Sequence, residues 1–296
     1  MMKTLKNQIE TKPNTNHLKI KIMKTQLFSG LICLTLIATS NTNTLAQSHQ
    51  PGDPDVELHV DSSLGICSFD ISPDLTQSEW KRFTKEGGNL LYLNPLSSAR
   101  PLGVKNWDFN IEMTSSDVDE TSGAWNNTFH HPDSVHYLND GPRTAIPAMR
   151  FRIGLTEKID AGLYFSPTTA FGANYNLIGF EAKYAFINDP VTNWAASVRV
   201  SHVMDAAIED FNISVTGIDV MASKTFFGIL TPYAGVAGNW NHTKETTDEV
   251  DLHNENYFGV RGIVGTELRW KFVNVGYELM VGDGFNNRAL KIGVTF

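Results

Sequence analysis

The chain has 296 residues, with 24 Lys and Arg against 32 Asp and Glu and a formal net charge of −8 at pH 7. That acidic balance argues against nucleic acid as a partner, because a phosphate backbone is met by basic stripes and patches. Two cysteines, Cys33 and Cys67, exclude a disulfide-dense scaffold.

Taken in chain order, the first element is an export signal. Lys19, Lys21 and Lys24 precede the apolar run Leu27 to Ile37, and the small-residue junction Thr44-Leu45-Ala46 precedes Gln47. This order of n-region, h-region and cleavage site predicts a signal peptide over residues 1–46, with Met23 as an alternative translation start and a mature chain from Gln47. The run is shorter than the ~20 residues a spanning helix needs, so it is not a membrane anchor. Cys33 lies within it, but Ile32 stands where a lipidation site wants a small residue, and an ordinary h-region cysteine is expected. Removing residues 1–46 takes away six lysines and one glutamate, leaving 18 basic against 31 acidic residues and Cys67 with no intramolecular partner.

Residues 47–103 do not alternate, apart from Val56, Leu58 and Val60. Thr76 to Glu79 reads as a capping box that opens a short helix through Trp80, Phe83 and Thr84, with a stop at Gly87-Gly88. Two placements are open: a plug seated in a barrel lumen, or a helix lying across the periplasmic mouth.

From residue 104 onward, beginning at Lys105, the chain divides into ten segments of period-two alternation, with twelve strands as the alternative count. In the first, Trp107, Phe109, Ile111 and Met113 share one face while Asp108, Asn110, Glu112 and Thr114 share the other. The pattern recurs with Met149, Phe151 and Ile153 against Arg150 and Arg152, and with Ile178, Phe180, Ala182 and Tyr184 against Glu181 and Lys183. Segment six, Phe211 to Ser223, changes parity between Val215 and Ile218, which predicts a bulge near Gly217. Segment seven, Leu230 to Trp240, contains Pro232 and two glycines and has the least defined register. The intervals Ser116 to Pro142, Pro167 to Asn174, Met204 to Asp210 and Asn241 to Glu255 are long. Those at Thr156 to Lys158, Asn188 to Asn193, Phe226 to Gly228 and Lys271 to Phe272 are short, the alternation expected between external loops and periplasmic turns. A strand of ten to twelve residues, rising ~3.3 Å per residue and tilted about 45°, climbs close to the ~25 Å of an apolar band.

In the last strand Leu290, Ile292, Val294 and Phe296 alternate with Ala289, Lys291, Gly293 and Thr295, and the chain ends on the aromatic. This ending resembles the assembly signal of Gram-negative outer-membrane β-barrels. The run Asn94-Pro95-Leu96-Ser97-Ser98-Ala99-Arg100-Pro101-Leu102-Gly103, entering Trp107-Asp108-Phe109-Asn110-Ile111, is similar to the opening of a poorly characterised family of predicted outer-membrane proteins, and Thr231-Pro232-Tyr233-Ala234-Gly235-Val236 resembles its later strand motif. The resemblance implies an all-β, up-and-down transmembrane barrel in the outer membrane. Outer-membrane lipid, lipopolysaccharide and the barrel assembly machinery are the partners it implies. It carries over no catalytic residue. A soluble barrel is the competing fold, and the aromatics at strand ends, Trp107, Tyr184, Trp194, Trp240 and Trp270, favour an interfacial girdle instead.

The inward parity collects seven acids, Asp108, Glu112, Asp160, Glu181, Asp219, Glu267 and Glu278, and seven bases, Arg150, Arg152, Lys183, Arg199, Arg261, Arg269 and Lys291. A balanced lumen of this kind serves either a narrow pore or a salt-bridged interior. His130-His131, with Asp133 and His136, is a weak metal candidate outweighed by a solvated loop, and neither a metal nor a cofactor is expected. Five acids against Lys244 in Asn241 to Glu255, with Asp117, Asp119 and Glu120, form an acidic outer rim suited to divalent cations at a lipopolysaccharide surface. Ser201-His202 with Asp205 is the one arrangement suggesting an outer-membrane hydrolase, but adjacent residues on a strand point to opposite faces and no catalytic pair is expected. Two functions remain: passive transport of small or lipophilic solutes, and a closed barrel acting through its acidic external loops. Oligomeric state is not encoded in any of these features.

Overall fold

The structure is a computed structural model and describes residues 68–69, 71–118, 122–130, 143–167, 175–206, 208–282 and 285–296. Residues 1–67, which include the expected signal peptide and Cys67, lie outside the described residues, as do His131, Asp133, His136, Asp119 and Glu120.

Ten antiparallel strands close on one another. In chain order they are β2 (Trp107–Asp117), β4 (Arg143–Gly154), β5 (Ile159–Ser166), β6 (Leu177–Asn188), β7 (Trp194–Asp205), β8 (Phe211–Lys224), β9 (Leu230–Glu245), β10 (Glu255–Trp270), β11 (Val273–Gly282) and β12 (Phe285–Thr295). Each pairs with its chain neighbours, and β12 returns to β2 with Ile292 opposite Ile111. Closure leaves no unpaired edge strand in the barrel wall. At the seam Phe296 and Trp107 exchange two backbone hydrogen bonds of 2.8 Å, and their rings stack at 4.8 Å. A small sheet pairs β1 (Ser68–Phe69) with β3 (Phe129–His130), and β3 follows the one-turn helix α2 (Gly123–Asn126).

The wall is inverted relative to a soluble barrel. Along β6, Ile178, Phe180, Tyr184 and Phe186 are exposed while Glu181 and Lys183 are buried. On β10, Val260, Val264 and Leu268 are exposed while Arg261, Ile263 and Glu267 are buried.

The lumen holds the N-terminal segment. Its helix α1 (Gln77–Leu91) starts at Thr76, whose hydroxyl accepts from Glu79 N while the Glu79 carboxylate accepts from Thr76 N at 2.9 Å. The helix does not stop at Gly87-Gly88 but continues to Leu91. The two glycines lie where α1 presses on the wall. A Cβ at Gly88 would overlap the Asn241 side chain, and one at Gly87 would sit 3.4 Å from Ile213. Close approach explains Gly88, whereas a side chain at Gly87 would find ordinary van der Waals contact. Segment six is corrected in the same way. β8 alternates without interruption, and Gly217 pairs in register with both Ser201 and Asn239, so no bulge is present there. Ile213 and Val215 point inward because α1 and the turn after it require apolar partners, while Ile218, Val220 and Ala222 point outward. The register irregularity lies between β6 and β7, at Ala185 to Ile187.

Candidate functional site: a lumen filled by the chain itself

The lumen is organised in three layers. Nearest the long connections is an apolar layer. Trp80 and Phe83 of α1 stack at 5.6 Å, and Phe83 meets Trp125 at 5.2 Å and Phe211 at 5.4 Å, both edge-on. Leu177, Val203 and Ile213 complete the packing from the wall. A cavity of about 20 Å³ remains beside Phe83, Leu90 and Trp125. It has room for roughly one water-sized sphere.

Below it lies an amide layer. The hydroxyls of Thr84 and Thr243 are 2.5 Å apart, and Asn241 Nδ2 donates to Thr84 O at 3.3 Å. Asn287 Nδ2 donates to Asn89 O at 2.7 Å. Arg261 donates to the Asn89 side chain and to Asn239 Oδ1, and its guanidinium lies 4.9 Å over the Tyr92 ring.

The third layer surrounds residues 92–102, which have no regular secondary structure. An extended strand of backbone in a barrel interior has no ladder partner, so its amides and carbonyls need side-chain donors and acceptors. The wall charges provide them. Arg199 donates to Leu93 O at 2.5 Å, and Arg150 donates to Asn94 O at 2.8 Å and to Pro95 O at 3.1 Å. Lys183 donates to Ser98 O at 3.2 Å and Arg100 O at 2.9 Å. In the other direction, Leu96 N donates to Glu278, Ser98 N to Glu267 and Leu102 N to Asp160, at 2.9, 3.3 and 3.0 Å.

The same charges are held by one another. Arg150 pairs with Glu112 at 2.7 Å and Arg152 with Asp108 at 2.6 Å. Arg199 bridges Glu181 at 2.6 Å and Asp219 at 2.7 Å, and Tyr92 Oη donates to Asp219 at 2.9 Å. Lys183 pairs with Asp160 at 3.1 Å and Lys291 with Glu267 at 2.9 Å, while Tyr233 Oη donates to Glu278 at 2.8 Å. All fourteen lumen charges named from the sequence therefore face inward. Thirteen are buried, and Arg269, with 35% of its side chain exposed, sits at the mouth beside Glu267. Their role toward the backbone of residues 93–102 is the part the sequence did not disclose, although a Pro-flanked, pattern-free stretch ahead of strand one was its one visible sign.

The remaining candidates are not brought together. Ser201 is buried in the lumen, whereas His202 faces outward and shares a 2.9 Å hydrogen bond with Thr216; Asp205 accepts from Ile213 N at 2.7 Å. Of the acidic loop, Glu255 accepts from Gln77 Nε2 at 2.7 Å, which ties α1 to the connection between β9 and β10.

The outer face decides the environment. Trp194, Phe226, Trp270 and Phe272 are exposed at the short-turn end, Trp240 and Phe258 toward the other end, and Leu163, Val200, Val236, Val264 and Ile292 between them. A closed barrel with an apolar exterior, an aromatic girdle and its charges inside is soluble only in a bilayer. This chain is a transmembrane β-barrel. In barrels of the outer-membrane type the longer loops are external, and by that rule the end carrying the residue 118–142 connection is the external one and the end carrying the Lys271–Phe272 turn the periplasmic one.

No protein-family model matches the chain, and no curated protein sequence matches it. Among solved structures, an outer membrane channel from Pseudomonas putida F1 is 12% identical with a TM-score of 0.42, covering 69% of this chain and 100% of that one. The attachment invasion locus protein Ail of Yersinia pestis is 9% identical with a TM-score of 0.29, covering 65% and 99%. The translocator domain of autotransporter NalP from Neisseria meningitidis is 8% identical with a TM-score of 0.36, covering 74% and 94%. Nothing about ligand or activity passes from them to this chain.

The cap of α1 gives a direct test of how the plug is held at its external end. Thr76→Ala is expected to destabilise the first turn by about 1 kcal/mol, read as faster amide exchange at residues 77–80 with the strands unchanged. The Glu79 carboxyl is held below its ordinary value of about 4.5, chiefly by the Thr76 backbone amide. Its folded-state value is depressed, so the stabilisation is present above the unfolded value and is lost as pH falls through the lowered one. Protection at α1, corrected for the intrinsic pH dependence of amide exchange, should therefore fall as the parent is acidified through the lowered Glu79 value and change less in Thr76→Ala.

Proposed function

We propose that this protein is a closed outer-membrane barrel, sealed along its lumen by its own N-terminal segment, that acts in the envelope through its external end. The observation that carries the reading is the clamp on residues 93–102, where wall cations and carboxylates bond directly to the plug backbone. Withdrawing the plug would break these backbone bonds together, which opposes spontaneous opening. Outer-membrane lipid and lipopolysaccharide are the partners of the outer face. The barrel assembly machinery is the partner of the terminal strand, with Leu290, Ile292, Val294 and Phe296 as its signal.

A second reading, passage of a small lipophilic solute, is favoured by the apolar layer and its cavity beside Phe83 and Leu90. It requires α1 to move, because that cavity holds no more than roughly a water.

Planar-bilayer recording separates the two readings. The closed barrel is expected to give no stable current steps from protein shown by heat-modifiable gel mobility to be folded. Reproducible ohmic steps from the same preparation would overturn it.

A further inference from the structure

The direction in which the plug crosses the barrel places the start of the mature chain. At the external end, Ile71 N donates to Asp210 Oδ2 at 2.8 Å and Ser72 N to Asn127 O at 2.9 Å, contacts with the connections that follow β7 and β2. Gln77 and His253 exchange hydrogen bonds of 3.1 and 2.8 Å at the β9 to β10 connection, and β1 pairs with β3 inside the β2 to β4 connection. At the periplasmic end, Leu102 N donates to Asp160 and Lys105 N to Gly154 O at 3.0 Å, beside the β4 to β5 turn. Gly103, at φ +87°, turns the chain there into β2.

Residues 71–106 thus cross the lumen once, from outside to inside. The fifteen residues of α1 alone are about 22 Å long, and the irregular residues 92–102 carry the chain on to the β4 to β5 turn. A single crossing that ends in the periplasm begins outside.

We infer that the chain is threaded through its own barrel, so that the mature residues before Ser68 are displayed on the external side of the outer membrane. The barrel is then a carrier that presents its N-terminal end at the cell surface, with the lumen charges gripping the tether. This deepens the closed-barrel reading by naming what the external end presents.

An epitope inserted after Gly52 in the full-length chain, and the same epitope inserted after Pro190 in the β6 to β7 turn, test the inference on cells. The Gly52 epitope should bind antibody on intact cells, and the Pro190 epitope only after the outer membrane is permeabilised. A Gly52 epitope reached only after permeabilisation, together with the Pro190 epitope, would overturn the inference. The unaltered protein offers a measurement that needs no insertion. Protease added to intact cells should trim the chain ahead of Ser68 and leave the barrel whole, whereas an N-terminal end that is cut only after permeabilisation would be decisive against display. Ionic current through the parent protein would sink the closed-barrel reading without altering either topological result.

Discussion

Replacing Arg199 with alanine is expected to cost the folded protein about 3–5 kcal/mol, because it removes one partner from a buried ionic cluster and leaves the Asp219 carboxylate without a cation. Arg199 is 1% exposed and bonds four groups: the Glu181 and Asp219 carboxylates, Leu93 O and, at 3.4 Å, Tyr92 Oη. Its loss leaves Asp219 with the Tyr92 hydroxyl but no cation, leaves Glu181 to Arg150 at 3.3 Å, and frees a carbonyl of the plug. Urea unfolding in lipid or detergent, followed by tryptophan fluorescence, should show a strongly lowered midpoint. A midpoint near that of the parent would mean that water already reaches these groups and that the lumen is wetter than its packing implies.

The second large effect belongs to the other face of the wall. Val264 lies midway along β10, between Ala234 and Leu279 on its neighbours, and is 62% exposed. Val264→Arg should destabilise the barrel by about 2–4 kcal/mol, the cost of a cation near the bilayer midplane. On a water-washed surface the same change would stay within about 0.5 kcal/mol. Refolding yield into lipid vesicles and the urea midpoint both measure it, with Val264→Leu as a neutral control. Equal stability of the two variants would remove the bilayer from the description of this face.

The barrel itself was legible because period two is a local property. Whether Trp107 and Phe109 share a face depends on nothing beyond the strand, and the alternation from Trp107 to Phe296 returned the ten strands found, with connections on the expected sides. Where local rules failed, a distant partner had intervened. Gly87-Gly88 reads as a helix stop, yet the helix passes through, and at Gly88 it is the Asn241 side chain that leaves no room for a Cβ. Ile213 and Val215 read as a register change, yet they face inward onto α1 and Tyr92 in an otherwise regular strand. The lumen charges were identified by parity, but their bonds to Leu93, Asn94 and Leu102 join residues far apart in the chain, and no spacing in the sequence encodes such contacts. Ser201-His202 shows the converse, since alternation alone placed the two side chains on opposite faces, as the structure does.

The claim on which the account rests is that α1 sits inside the barrel against β9. Thr84 and Thr243 place their hydroxyl oxygens 2.5 Å apart across that contact. Thr84→Cys with Thr243→Cys, in a Cys67→Ser background, is expected to join helix to wall in a disulfide bond recovered as a single cross-linked peptide by mass spectrometry, since side chains this close lie within disulfide reach. Two free thiols that both react with maleimide in the folded barrel would contradict a plugged lumen.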